Sequence, residues 1–114
     1  MKKRTAKFAV KVIAFCNSMK YTRATSVITY QIVASVTSAG ANYSAACNAR
    51  SKTEFFSKLS IVLEEIEKTE YWLQIIKEAG ISNDKVTMEW LINEAEELKK
   101  ETNHSYFYQI VNKL

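Results

Sequence analysis

Few side chains in this sequence have the types and spacing that catalysis or metal binding requires. Glu101 and His104 form a Glu-x-x-His unit, which di-iron four-helix bundles use to hold their metals. Such a site needs two of these units and two further glutamates, and His104 is the only histidine. Cys16 and Cys47 show neither CxxC nor metal-type spacing, and no glycine-rich phosphate loop occurs. We therefore expect no catalytic residue, no metal site and no cofactor.

Basic side chains are concentrated near the amino terminus. The first 23 residues contain seven lysines and arginines and no acid, and they account for the net charge of +4. Such a region can bind nucleic acid or an acidic partner, and a solvated helix face that keeps the protein soluble is the alternative. The candidate binding residues are Lys2, Lys3, Arg4, Lys7 and Lys11, with Arg50 and Lys52 further along the chain.

The elements that must position these residues are helices. The chain has 114 residues, no proline and two glycines, which favours a few long helices over β-structure. Apolar residues recur at spacings of three and four, as in Phe8, Val12 and Phe15. Short loops make consecutive helices antiparallel, so we predict one all-α domain over 1–114, an up-down-up-down four-helix bundle. The predicted helices span about 5–19, 23–49, 52–79 and 83–102, with an extension to 112 left open through Phe107, Ile110 and Val111.

The predicted helix ends carry signals of their own. Thr22 can cap the second helix, and Ser51 with Glu54 forms a capping box before the third. Gly80 follows the third helix, where glycine allows the chain to turn left-handed. The stretch Ser82-Asn83-Asp84 supplies the next cap. These signals place the boundaries independently of the apolar spacing.

The second predicted helix lacks a charged face, since residues 24–49 contain no charge. It is too polar for a membrane span, because ten of those 26 residues are Ser, Thr, Asn or Gln. Either this helix is the most buried in its own bundle, or its outer flank contacts a second copy. We favour a homo-oligomer, because an uncharged outer face suits a subunit contact. The predicted interface residues are Ser35, Ser38, Ala39, Gly40, Asn42 and Tyr43, with Asn42 expected to be buried.

Two segments carry a resemblance to a known family. Ser38-Ala-Gly-Ala-Asn42-Tyr43, followed by Ala49-Arg-Ser-Lys-Thr-Glu-Phe55, resembles the four-helix-bundle proteins encoded in intervening sequences of bacterial 23S ribosomal RNA genes. The resemblance implies a left-handed bundle that assembles as a homopentamer and has no established catalytic activity. A related branch comprises accessory proteins of diversity-generating retroelements, which are basic pentamers that bind a reverse transcriptase and nucleic acid.

The sequence departs from that family along the second helix. Family members usually carry basic residues where this chain has Ala34, Ser44 and Asn48. Each missing cation removes a potential phosphate contact and its share of counterion release. The resemblance therefore implies nucleic-acid binding with a thinner positive surface than in relatives.

Two functions remain open on this basis. The first is a non-enzymatic homo-oligomeric scaffold that binds RNA or DNA, or a nucleic-acid enzyme such as a reverse transcriptase. The alternative is a protein–protein adaptor that does not bind nucleic acid. Free thiols at Cys16 and Cys47 would suit a reducing cytoplasm, where we expect the protein to be, although a bridge between them stays open. The basic start of the chain and the apolar run that follows it imitate a secretory signal, but Lys11 interrupts that run, so we interpret it as the start of the first helix.

Overall fold

The computed structural model describes the backbone of residues 1–113 and the side chains of residues 1–106. Over these residues the chain forms four helices and no strand, which confirms the all-α prediction. The helices are α1 (Lys2–Asn17), α2 (Arg23–Cys47), α3 (Lys52–Ala79) and α4 (Lys85–Lys113). Helix α1 begins three residues earlier than predicted, because the amide of Thr5 already donates to the carbonyl of Met1 at 2.8 Å. The side chains of Phe107, Ile110 and Val111 lie outside the described residues.

Ion pairs between α3 and α4 show how these two helices run. Lys77 near the end of α3 pairs with Glu89 near the start of α4 at 3.0 Å. Glu70, earlier in α3, pairs with Lys99, later in α4, at 2.9 Å. The two helices are therefore antiparallel. The whole bundle measures 49 × 20 × 20 Å, and its left-handed sense stays a prediction.

The core lies along the axis of the bundle and is built by the predicted apolar stripes. Phe8 and Val12 of α1 are almost fully buried, as are Ile32 of α2, Leu73 of α3 and Leu98 of α4. Spacings of three and four put these side chains on one face of each helix, where burial removes them from water. Among the described residues, no buried side-chain nitrogen or oxygen lacks a hydrogen-bond partner.

The predicted signals at the ends of α2 and α3 are present as hydrogen bonds and backbone geometry. The amide of Thr25 donates to the Thr22 hydroxyl at 3.1 Å, and the Thr22 amide donates back to the Thr25 hydroxyl at 2.7 Å. The amide of Glu54 donates to the Ser51 hydroxyl at 3.1 Å, but the Glu54 carboxylate accepts from the amide of Arg50, so only half of the predicted capping box is formed. Gly80 ends α3 in the left-handed region, with φ of 64°. These bonds satisfy amides that the first turn of a helix leaves without partners.

Helix α4 is capped by the last residue of the predicted stretch. The carboxylate of Asp84 accepts from the amide of Thr87 at 3.0 Å, and hydrogen bonds from Thr87 hold the Asp84 pKa below its ordinary value. The Ser82 hydroxyl in turn accepts from the Asp84 amide at 3.2 Å. This cap fixes where α4 begins, beside the end of α1.

Candidate nucleic-acid and subunit interfaces

The predicted basic residues come from two parts of the chain that lie toward the same end of the bundle. A Cβ added to Gly40 would lie 3.9 Å from the backbone of Thr5, so α1 begins beside the second half of α2. Helix α2 then ends, and the chain turns into α3 at that same end. Lys2, Lys3 and Lys7 are exposed on α1, and Arg50 and Lys52 are exposed at the turn. We call these five residues the basic end.

Arg4 is held by other residues of the chain. Its guanidinium donates to both carboxylate oxygens of Glu94, at 2.9 and 2.8 Å, and also to the carboxylate of Glu101. The hydrogen bond from Arg4 lowers the pKa of Glu94, whose side chain is only 14% exposed. Two parallel bonds of this kind fix the geometry of both groups. Arg4 therefore fastens α1 to α4, and its predicted part in binding nucleic acid or a partner stays a prediction.

Lys11 also has a partner within the chain. Its ammonium nitrogen lies 4.0 Å from the centroid of the Trp90 ring, a cation–π contact between α1 and α4. Lys11 lies roughly two and a half turns along α1 from Lys2. Lys11 therefore contacts α4, although Lys7 of the basic end lies only one turn before it. Its role in binding nucleic acid or a partner stays a prediction.

The start of α3 adds to the positive character of the basic end. Arg50, Ser51 and Lys52 line an open hollow of about 350 Å³, together with Ala46, Cys47, Ala49 and Phe55. The amino terminus of a helix carries a partial positive charge that attracts anions, and here Ser51 already caps the Glu54 amide and the Glu54 carboxylate lies in the first turn. Glu54 accepts from the Arg50 amide at 3.2 Å, so this turn is held in place.

Two of the predicted interface residues are buried inside their own bundle. Ser35 is 3% exposed, and its hydroxyl lies 2.9 Å from the hydroxyl of Thr69 on α3. Ala39 is 4% exposed in the hydrophobic core. Neither can contact a second copy while the bundle is closed, so the prediction is wrong for Ser35 and Ala39.

The other four predicted interface residues lie at the edges of this buried stripe. Gly40 faces the first turn of α1, and Tyr43 packs against the core, where burial raises the pKa of its hydroxyl. Asn42 is half-buried and donates to the carbonyl of Ser38 at 2.9 Å and to its hydroxyl at 3.2 Å. The expected burial of Asn42 is therefore only partial, and these bonds lie within its own helix.

The face that α2 shows to solvent consists of different residues and has no charge. Val27 and Tyr30, at its start, are 57% and 73% exposed. Smaller exposed residues follow on the same side: Ala34, Thr37 and Ala41. Spacings of three and four align these residues along one stripe of the helix. We call these five residues the uncharged face.

The groups considered for chemistry are placed as follows. Both cysteines are free; Cys16 is buried, which raises its pKa to about 11, and Cys47 is exposed. The Glu101 carboxylate of the Glu-x-x-His unit accepts from Arg4, and His104 is exposed. Among the described residues, no group of three or more His, Cys, Asp or Glu side chains could hold a metal ion. No helix within the described part of the chain is long and apolar enough to cross a membrane.

Comparison with known proteins identifies the family. A family model for the 23S rRNA-intervening sequence protein matches residues 1–104. The chain belongs to this family. A solved structure from Bacteroides thetaiotaomicron, of a protein with unknown function from the S23 ribosomal protein family, is 30% identical. The alignment covers 92% of this chain and 96% of that one, with a TM-score of 0.81, and no curated protein matches the chain.

These likenesses confirm the family and the four-helix fold that the sequence predicted. They name no activity, because the function of the structural neighbour is unknown. Any functional argument for this chain must therefore come from its own surfaces. The sequence identified the cations of the basic end but not that both groups lie toward one end of the bundle, and it gave no sign of the partners of Arg4 and Lys11, both of which lie on α4.

Proposed function

We propose that this protein is a non-enzymatic homo-oligomeric scaffold that binds nucleic acid through its basic end. The observation that carries the proposal is that exposed cations of α1 (Lys2, Lys3 and Lys7) and of the turn before α3 (Arg50 and Lys52) lie toward the same end of the bundle. Clustered exposed cations attract phosphates, and each phosphate that they neutralise releases counterions.

The cations of the basic end are available for such contacts. None of its five residues takes part in an ion pair among the described residues. By contrast, Lys68, Lys77 and Lys99 all pair with glutamates on α3 or α4. A free cation gains more from a phosphate than a paired one, because it loses no existing partner. The basic end is thus the favoured surface for a polyanion.

Self-association rests on the uncharged face of α2. Small residues such as Ala34 and Ala41 let another helix approach closely, and no charge must be desolvated there. Family resemblance suggests a pentamer. An oligomer would present several basic ends to one nucleic acid, which raises the effective affinity without new contacts. A nucleic-acid enzyme such as a reverse transcriptase is a further candidate partner of the same assembly.

Oligomerisation is tested by light scattering coupled to gel filtration. Replacing Ala41 by Glu puts a charge on the uncharged face at an exposed position, so the bundle itself should remain folded. We expect the wild type to form an oligomer and the Ala41→Glu variant to lose mass. Gln74→Glu, at an exposed position on α3, is the matched control. A monomeric wild type, or equal effects of both changes, would refute this interface.

Nucleic-acid binding is tested by fluorescence anisotropy with a labelled single-stranded RNA. Replacing Lys2, Lys3 and Lys7 together by Gln removes three free cations, and we expect the affinity to fall about tenfold or more. A control variant with the same loss of charge replaces three lysines outside the basic end: Lys58, Lys77 and Lys85. Equal losses in both variants would mean that only net charge matters.

The alternative function is a protein adaptor, and one observation favours a protein-binding surface. Trp90 and Val86 on α4 remain 40% and 84% exposed beside a groove that is away from the basic end. A scaffold that binds protein alone would keep its partner after nuclease treatment, and its RNA affinity would be unaffected by the lysine changes.

A further inference from the structure

A groove runs between the second half of α1 and the first turns of α4. It has a volume of about 450 Å³ and is lined mainly by apolar atoms. Phe15 of α1 is buried at 3% exposure, while Val86 and Trp90 of α4 border the opening. Helices α1 and α4 make the least contact of the four adjacent pairs, which leaves this space between them.

Large apolar side chains remain exposed to solvent beside this groove. Val86 is 84% exposed and Trp90 is 40% exposed. Contiguous exposed apolar residues with polar neighbours mark a surface where another molecule binds. The groove extends from Lys11 to Ser18, which is roughly 10 Å along α1, or about two turns of a helix. Its length therefore suits a short helical segment.

One end of the groove is positively charged. The Lys11 ammonium lies over the Trp90 ring and makes no ion pair among the described residues, and Lys7 lies one turn earlier on α1. Helix α1 contains no acid to neutralise them. The nearby carboxylate of Glu94 on α4 is already bound by Arg4. At the other end, Asp84 uses its carboxylate to cap α4.

We propose that this groove docks an acidic amphipathic helix of a partner protein. Apolar side chains of that helix would pack on Phe15, Val86 and Trp90, and a carboxylate would reach Lys11. A basic helix would meet like charge, and a nucleic acid would gain little from apolar walls. The proposal does not rest on RNA binding, because none of the residues that line the groove belongs to the basic end, although Lys7 lies one turn from Lys11. The scaffold would then hold protein and nucleic acid on separate surfaces.

The test uses the full chain and two synthetic helices of about four turns. The acidic peptide has leucines spaced three and four apart among alanines and glutamates; the basic peptide has lysine in place of each glutamate. Binding is followed by NMR at the two indole N–H signals, since Trp72 and Trp90 are the only tryptophans. Loss of one signal in Trp90→Phe assigns them. We expect the acidic peptide to shift the Trp90 signal and to leave that of Trp72 in place.

Two variants locate the contact. Lys11→Glu should weaken binding of the acidic peptide by about tenfold, because it puts like charges together. Lys2→Glu makes the same charge change on α1 outside the groove and should have little effect. Val86→Glu, at a position that is 84% exposed, should also weaken binding while the helical content of the protein stays unchanged.

Three results would overturn the proposal. The first is equal binding of the acidic and basic peptides, or no binding of either. The second is equal weakening by Lys11→Glu and Lys2→Glu. The third is a Trp90 signal that moves with protein concentration alone, together with a lower oligomer mass in Val86→Glu, because a second copy would then fill the groove.

Discussion

Replacing Arg4 by Gln separates fold stability from nucleic-acid binding. The guanidinium of Arg4 makes two hydrogen bonds to Glu94, at 2.9 and 2.8 Å, and the side chains of Arg4 and Glu94 are 35% and 14% exposed. Exposed ion pairs contribute up to about 1 kcal/mol, and breaking a buried pair costs about 3–5 kcal/mol. This pair lies between those cases, so the free energy of unfolding should fall by about 1–2 kcal/mol. RNA affinity should change far less than in the variant that lacks Lys2, Lys3 and Lys7.

The assay for Arg4→Gln is urea unfolding followed by circular dichroism, at pH 7 and at lower pH. Arg4 depresses the pKa of Glu94 below its ordinary value. The ionised carboxylate therefore stabilises the fold at every pH above the ordinary pKa of a glutamate. This stabilisation is lost as the pH falls through the folded-state pKa, and the variant should lose less there than the wild type. Unchanged stability at pH 7, or an RNA affinity as low as that of the lysine variant, would refute the assignment of Arg4.

Three further predictions concern the core and the thiols. Thr69→Val removes the hydrogen bond to Ser35 and should destabilise the fold by about 1 kcal/mol. Adding Ser35→Ala should cost little more, because both polar partners are then gone. Additive losses of stability in a double-mutant cycle would contradict this. Cys47 should react with a thiol reagent in the native protein, and Cys16 only on unfolding. The free energy of unfolding should fall as the pH rises from about 9 to 11, because the Cys16 thiol ionises in the unfolded chain before it does in the fold. Cys16→Ala should remove that loss of stability. Gly40→Ala should stabilise the fold by about 0.5–1 kcal/mol in thermal unfolding, because the added Cβ would lie 3.9 Å from Thr5, and a lower melting temperature would show that the site is tighter.

The elements of the fold could be predicted from the sequence because their signals are local. Apolar spacing along α1 and α3 contrasts with charged residues on the other side of each helix. The caps at Thr22, Ser51 and Asp84 each act on an amide three residues away. Such interactions depend on neighbours in the chain, so they are visible before the fold is known.

The interface face of α2 could not be predicted in the same way. A helix with no charged residue gives no contrast between its inner and outer sides, so its sequence does not show that Ser35 and Ala39 face inward. Ser35 is inside because Thr69, 34 residues later, supplies its partner. Arg4 and Lys2 are likewise indistinguishable as cations in sequence. Only the approach of α4 ties Arg4 to Glu94, 90 residues along the chain.

The salt dependence of RNA binding tests the central proposal most directly. The logarithm of the observed association constant falls linearly with the logarithm of salt concentration, by about 0.7 for each phosphate neutralised on a single strand. Removing the cations of Lys2, Lys3 and Lys7 should therefore make the slope shallower by about 2, whereas the control variant should keep the wild-type slope. An unchanged slope in the lysine variant, or a wild type that does not bind RNA, would contradict a nucleic-acid function for the basic end.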